Sequence, residues 1–303
     1  MRVTDREQSG VTRPVLWTRG EGCGELAGVL SEIEPIRVVG DVHEACIRHR
    51  ANLLVSRRLT GSFDLVANAA PVDVRLDDVE AVVAAAAGGP HSLLAVRVAR
   101  RVAESLGIDG IVASAYAEDE RRSTAVSAVE RLHAVEPGIE YRITQASDAA
   151  SLVAQLPQRS LLVIGAPGGG WLQRTFFGPG ARLRSEASVG AVVVRSQPDR
   201  VFQVMDDPVF VGPYREAVDI MRLHVEPVLA VVDRAELIGI VRRGALEVAD
   251  PGVPVQALME APISVSMTAT VEQAMVLARG LEGAALPVVD DDGLLVGALP
   301  VPA

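Results

Sequence analysis

Leu161-Leu-Val-Ile164 runs straight into Gly165-Ala-Pro-Gly168-Gly169-Gly170, then through Trp171-Leu-Gln-Arg174-Thr-Phe-Phe to Gly178-Pro-Gly180. A short, wholly apolar run that ends in glycine reads as a strand buried on both faces. The Arg/Ala-rich segment Ala181 to Ala187 after the glycines reads as a helix. Glycines lack a Cβ, so their backbone amides can approach a phosphate, and the helix N-terminus beyond adds a favourable dipole. Arg174 could add a charge-assisted contact or stand solvated. A glycine-rich connection with no ligand looks the same, so the loop alone leaves both readings open.

Outward from this loop, strand-like and helix-like segments alternate. Toward the N-terminus lie a strand at Ile139 to Ile143, a solvated helix at Glu118 to His133, a strand at Gly110 to Ala113 and a helix at Leu93 to Leu106. The turn Gly88-Gly-Pro-His-Ser92 and the small apolar strand Ala81-Val-Val-Ala84 open this series, and Ala191-Val-Val-Val194 closes it. A shorter series precedes it. Its strands are expected at Pro14 to Trp17, Ile36 to Val39, Asn52 to Ser56 and Val72 to Leu76, and its helices at Glu25 to Ile33, Val42 to His49 and Phe63 to Ala69. Asp41 is placed to N-cap the middle helix, with Glu44 at the third position. Alternation with this period argues for an α/β fold with a doubly wound parallel sheet.

The rhythm changes at Gln197-Pro198-Asp199, which reads as a linker. Beyond it, four blocks occur twice. Val204-Met-Asp-Asp-Pro-Val-Phe-Val211 parallels Ala257-Leu-Met-Glu-Ala-Pro-Ile-Ser-Val265, and Glu216 to Met221 parallels Glu272 to Leu277. Pro227-Val-Leu-Ala-Val-Val-Asp233 parallels Ala285-Leu-Pro-Val-Val-Asp290, and Leu237-Ile-Gly-Ile-Val241 parallels Leu295-Val-Gly-Ala-Leu299. Each unit reads strand, helix, strand, turn, strand, a strong internal repeat.

Composition narrows the function. The 303 residues suffice for two or three domains, and the net charge of −10 argues against DNA, RNA or anionic membranes as partners. Every basic side chain is arginine. That removes the phosphate loop that needs Gly-Lys-Ser/Thr, and the Schiff-base lysine of pyridoxal enzymes. Two cysteines, Cys23 and Cys46, and a charged N-terminus without an apolar core read as cytoplasmic. His43, Cys46 and His49 step by three along a helix, which points His43 and His49 about 120° apart and away from one shared ion, so no metal is expected. His91-Ser92 are adjacent on a turn and make no nucleophile–base pair. The methionines of the repeat read as core filler. Asp290-Asp-Asp-Gly293 reads first as a hairpin turn.

The spacing Gly165, two residues, Gly168, nine residues, Gly178 resembles the ATP-binding loop of universal stress proteins. With Ala81 to Ser92 as opening strand and turn and Val189 to Arg195 as closing strand, the resemblance covers residues 79–196. It implies an adenine-nucleotide α-hydrolase-like fold and an ATP site at Gly165, Gly168, Gly169, Gly178, Gly180 and Arg174. Proline at 179 replaces the family's Ser/Thr, removing a hydroxyl and an amide donor, and Ala87 stands where a carboxylate often anchors the nucleoside. Residues 14–78 look like a shortened second copy with the phosphate loop nearly deleted between Ser56 and Gly61, so this half is expected to pair rather than to bind. Residues 1–13 read as a flexible N-terminus.

Residues 197–303 resemble a pair of CBS domains, carried by Val-Met-Asp-Asp-Pro, Leu-Pro-Val-Val-Asp-Asp-Asp-Gly and Leu-Val-Gly. Such pairs form one module with two clefts that often take AMP or ATP. The family's cleft motif, glycine, two apolar residues, Thr/Ser and an aspartate three further on, reads Gly239-Ile-Val-Arg242-Arg-Gly-Ala245 here, and Gly297-Ala-Leu-Pro300-Val-Pro-Ala303 in the second copy. Both hydroxyls and both aspartates are replaced, and the closing helix of the second copy is missing. Arg242 and Arg243 are the candidates to meet a phosphate. The reading is a non-catalytic regulatory stress-response protein that senses adenine nucleotide and signals through a homodimer or a protein partner. The alternatives are a ligand-free scaffold with decayed sites and a weak ATPase.

Overall fold

Ala81-Val-Val-Ala-Ala85 is buried at every position, as a strand covered on both faces must be, and it sits near the middle of the larger sheet. A computed structural model describes residues 13–57, 65–86, 88–166, 187, 189–281 and 283–302. The chain divides between Gln197 and Pro198 into two units.

The first unit is mixed α/β. Its strands are β1 (Leu16–Trp17), β2 (Ile36–Arg37), β3 (Leu53–Val55), β4 (Ala67–Val72), β5 (Ala81–Ala85), β6 (Asp109–Tyr116), β7 (Glu140–Gln145), β8 (Ser160–Gly165) and β9 (Ala191–Arg195). They form one sheet in the order β2-β1-β3-β4-β9-β8-β5-β6-β7. All neighbours run parallel except β4 and β9, which are antiparallel from Asn68 opposite Arg195 to Val72 opposite Ala191. Two parallel half-sheets are therefore joined through their last strands. In the second half, chain order gives 3-2-1-4-5, and the direction of winding reverses between β5 and β8. In the first half it reverses between β1 and β3.

Helices α1 (Cys23–Leu30), α2 (Val42–Arg48), α3 (Ser92–Leu106), α4 (Arg122–Val135) and α5 (Ala149–Val153) connect the strands. On α3, Ala95, Val96, Val98, Ala99, Val102 and Ala103 are buried while Arg97 and Arg100 are not, a one-sided stripe. One apolar cluster takes Leu26, Val55 and Ala69 from the first half and Val82, Val96 and Val192 from the second. The shorter half thus shares a core with the longer one. Asp41 caps α2 as expected, accepting from the amides of His43 (2.7 Å) and Glu44 (3.1 Å); Glu44 pairs with Arg48 instead of reaching back.

Two expectations fail together. Ala67 to Ala69 belong to β4, not to a helix, and the strand ends at Val72 rather than running from Val72 to Leu76. Small alanines carry no period, so pattern alone does not distinguish a buried strand from a helix here. Asp73, with φ 50°, turns the chain out of the sheet. Pro71 is tolerated because β3 pairs only with Ala67 to Ala69, so Pro71 faces a strand on one side only.

In the second unit, α6 (Val201–Val204) precedes β10 (Phe210–Val211), α7 (Ala217–Leu223), β11 (Val228–Asp233), β12 (Glu236–Arg242) and α8 (Arg243–Val248). Then come β13 (Val265–Ser266), α9 (Val271–Leu277), β14 (Ala285–Val289) and β15 (Leu295–Pro300). Each repeat makes a three-stranded sheet, one parallel pair followed by an antiparallel hairpin. In the second hairpin Asp290 accepts from the amides of Asp292 (3.0 Å) and Leu294 (2.9 Å), so the acidic run is a turn.

The arms leading into the repeats are exchanged. Asp206, ahead of the first repeat, pairs its backbone with Ala298 of the second at 2.8 and 3.0 Å. Glu260, ahead of the second, pairs with Ile240 of the first at 3.2 and 2.8 Å. Phe202, fully buried, anchors the first arm, its amide donating to Met267.

Candidate functional site

Parallel sheets bind ligands beyond the carboxyl ends of the strands where winding reverses. In the longer half that point lies between β5 and β8, where Ala85 stands opposite Ile164 and the next residue is Gly165. Gly165 closes β8 beside Val194 of β9. Gly168, Gly169, Arg174, Gly178 and Gly180, with Pro179 and Ala87, lie outside the described residues. α3 begins just after β5, so its amino end, with no side-chain cap, sits at the same edge and favours an anion.

His91 borders this edge. Its Nδ1 accepts the Ser196 amide at 3.1 Å and lies 2.8 Å from Ser196 Oγ, which is 2.9 Å from the Pro90 carbonyl. An amide can only donate, so Nδ1 is bare and the ring carries its proton on Nε2. Burial first, and the charge of Arg195 second, push the imidazole pKa down and keep it neutral. The structure thus gives His91 a latch to the end of β9, 105 residues away, and not to Ser92. Nothing in local spacing signals that contact. On the neighbouring β6, Ser114 Oγ is buried with no hydrogen-bond partner. An orphaned hydroxyl of this kind is unusual in a settled core.

In the second unit the two candidate arginines part company. Arg242 Nε lies 3.1 and 3.2 Å from the two carboxylate oxygens of Glu260, and Nη1 is 3.4 Å from the Gly280 carbonyl. It therefore spans from the first repeat to the second. Arg243 stays at home, donating to Glu247 at 3.0 Å and to the His224 carbonyl at 2.9 Å. The repeat gives Pro300 at the place of Arg242 and Asp206 at the place of Glu260, so the second repeat offers no arginine for such a bridge at that place. Glu260 was not singled out from the sequence; the block alignment of Asp206 with Glu260 was the available signal.

Among the described residues no group of three His, Cys, Asp or Glu could hold a metal ion. Cys23 and Cys46 are buried free thiols. Burial, helped by the Asp41 charge, pushes Cys46 up to about 11, which makes it a poor nucleophile. Among the described residues no helix is long and apolar enough to cross a membrane.

A family model for the CBS domain matches residues 255–301. This stretch is a CBS domain. None of the curated proteins matches the chain in sequence. Among solved structures, the chain is similar to the cytosolic domain of the magnesium channel MgtE in complex with ATP, at 26% identity over 34% of this chain and 46% of that one, TM-score 0.32. It is similar to CBSX2 in complex with AMP, at 27% identity over 33% of this chain and 89% of that one, TM-score 0.30. A CBS-pair/ACT protein from Thermotoga maritima shows 24% identity over 33% of this chain and 88% of that one, TM-score 0.31. The chain thus spans less than half the length of the MgtE domain that it matches.

Proposed function

We propose that this is a non-catalytic regulatory protein of the cytoplasm. A tandem universal-stress-protein-like unit, residues 14–78 and 79–196, is coupled to a CBS pair at 197–303 that senses adenine nucleotide. The observation that carries the reading is the CBS domain at 255–301, interlocked with its repeat through exchanged arms. Two features support a second site for ATP at the glycine loop. Gly165 closes β8 beside the reversal point, and the amino end of α3 lies at the same edge. The signal passes to a second copy. Leu223, which ends α7, is 71% exposed and Leu277, which ends α9, is 52% exposed, apolar surface that a homodimer would cover.

A thermal-shift titration with AMP, ADP and ATP tests this. Ligand at a hundred times its Kd stabilises by about 2.7 kcal/mol, a shift of a few degrees. ATP stabilisation abolished by Gly168→Asp assigns the loop; AMP stabilisation that survives it assigns the module. A flat response to all three sinks the reading. A ligand-free scaffold is the second reading, favoured because Arg242 and Arg243 are both engaged within the protein. Phosphate release abolished by Gly168→Asp would instead favour a weak ATPase.

A further inference from the structure

Glu260 occupies a donor of Arg242 that a phosphate could take. The Nε–H of Arg242 is shared between both oxygens of the Glu260 carboxylate at 3.1 and 3.2 Å, and Nη1 donates to a carbonyl of the same repeat, Gly280, at 3.4 Å. A guanidinium N–H that a carboxylate accepts can be accepted by a phosphate oxygen as well. Arg243, one residue on, is turned away to Glu247 and His224. Of this adjacent pair Arg242 is therefore the cation left to meet a phosphate, and the protein's own acid occupies it. The surrounding charge acts in the same direction. Within residues 198–303 acidic residues outnumber arginines by more than two to one, whereas residues 1–197 are nearly balanced. Each further negative charge on a ligand enters against that field.

We propose that the cleft of the first repeat is a self-closed site for a nucleoside monophosphate. The Glu260 carboxylate is the internal competitor that an incoming phosphate displaces from Arg242. This rests on the reading of the module as an adenine-nucleotide binder. The competitor is a partly exposed pair, with side chains 40% and 50% accessible, so a ligand can displace it. Exposed pairs of this kind contribute up to about 1 kcal/mol, which sets the gain from removing Glu260 at up to about fivefold in affinity. The backbone pairing of Glu260 with Ile240 does not involve the carboxylate, so Glu260→Gln leaves the arm in place.

The test is calorimetric titration of the full chain with AMP and, without magnesium, ATP. Glu260→Gln should tighten AMP about three- to fivefold, and AMP should bind more tightly than ATP. Arg242→Ala should weaken AMP relative to the parent. Glu272→Gln removes the same charge from the exposed start of α9 and should leave affinity unchanged. Parent binding with no gain in Glu260→Gln, an equal gain in Glu272→Gln, or tighter binding of ATP overturns the self-closed site and leaves the sensor reading standing. No binding of AMP by any variant at millimolar ligand overturns the self-closed site together with the sensing of nucleotide by this module.

Discussion

Gly239 faces the carbonyl oxygen of Glu260 so closely that a Cβ at Gly239 would stand 2.7 Å from it, with Met259 Sδ at 3.0 Å. The equivalent Gly297 meets Met205 Sδ at 2.5 Å and the Asp206 carbonyl at 3.2 Å. Each hairpin glycine is thus the seat for the methionine arm of the other repeat. The nearest obstacle is backbone at Gly239 but the flexible end of a side chain at Gly297. Gly239→Ala should therefore cost about 3 kcal/mol and Gly297→Ala about 1 kcal/mol, within the usual range for overpacking. Urea denaturation of the two variants checks the order; equal losses would mean that the arms do not discriminate between backbone and side chain.

Much of this was legible in the sequence. The repeat predicted two equivalent sheets, and the apolar runs predicted β5, β8 and β9 to within a residue or two. The exchange of arms was not legible. Val204 to Val211 and Ala257 to Val265 align as the first block of their own repeats, and alignment says nothing about which hairpin each block packs on. The helix expected at Phe63 to Ala69 conflicts with β4 because Ala67 and Ala69 suit helix and buried strand alike. The role of Arg242 was half legible: its charge pointed to phosphate, but Glu260, eighteen residues on, was invisible as its partner.

Glu136 is buried just past α4, and its carboxylate takes Arg97 Nε at 2.6 Å and Arg100 Nη1 at 2.5 Å from α3. Removing Glu136 breaks both bonds at once, whereas removing Arg100 leaves the buried carboxylate its bond to Arg97. Arg100 also keeps Glu104 at 3.5 Å. Glu136→Ala should destabilise the first unit by about 1.5–3 kcal/mol, the range for hydrogen bonds to charged groups. Arg100→Ala should lose less. Chemical denaturation followed by far-UV circular dichroism gives the comparison, and an Arg100→Ala loss as large as that of Glu136→Ala would contradict the clamp.

The neutral His91 latch makes stability depend on pH in a definite direction. Its folded pKa lies below the unfolded value near 6.5, so above 6.5 both states carry a neutral ring and the latch contributes fully. As pH falls below 6.5 the unfolded chain takes up a proton first, and stability drops until the folded pKa is reached. His91→Gln should flatten that part of the profile. Melting temperatures at pH 7.5 and 5.5 measure it, and a parental slope retained in the variant would assign the dependence to another group.

Gly190 enters β9 with φ 98°, and a Cβ there would meet the Asp73 carbonyl oxygen at 2.4 Å and the Val72 carbonyl oxygen at 2.7 Å. Both obstacles are backbone, at the end of β4 where the two half-sheets join. Gly107, which ends α3 with φ 67°, has nothing within 4 Å of its would-be Cβ. Alanine at Gly107 therefore meets only the left-handed conformation, about 1–2 kcal/mol. Alanine at Gly190 meets the same strain plus a clash that neither strand can relieve without losing register, so its loss should exceed 3 kcal/mol. Hydrogen exchange separates the two effects. Gly190→Ala should lose protection along β4 and β9, whereas Gly107→Ala should lose it only at the end of α3. If both variants fray nothing but their own turns, the β4–β9 seam is not what holds the half-sheets together.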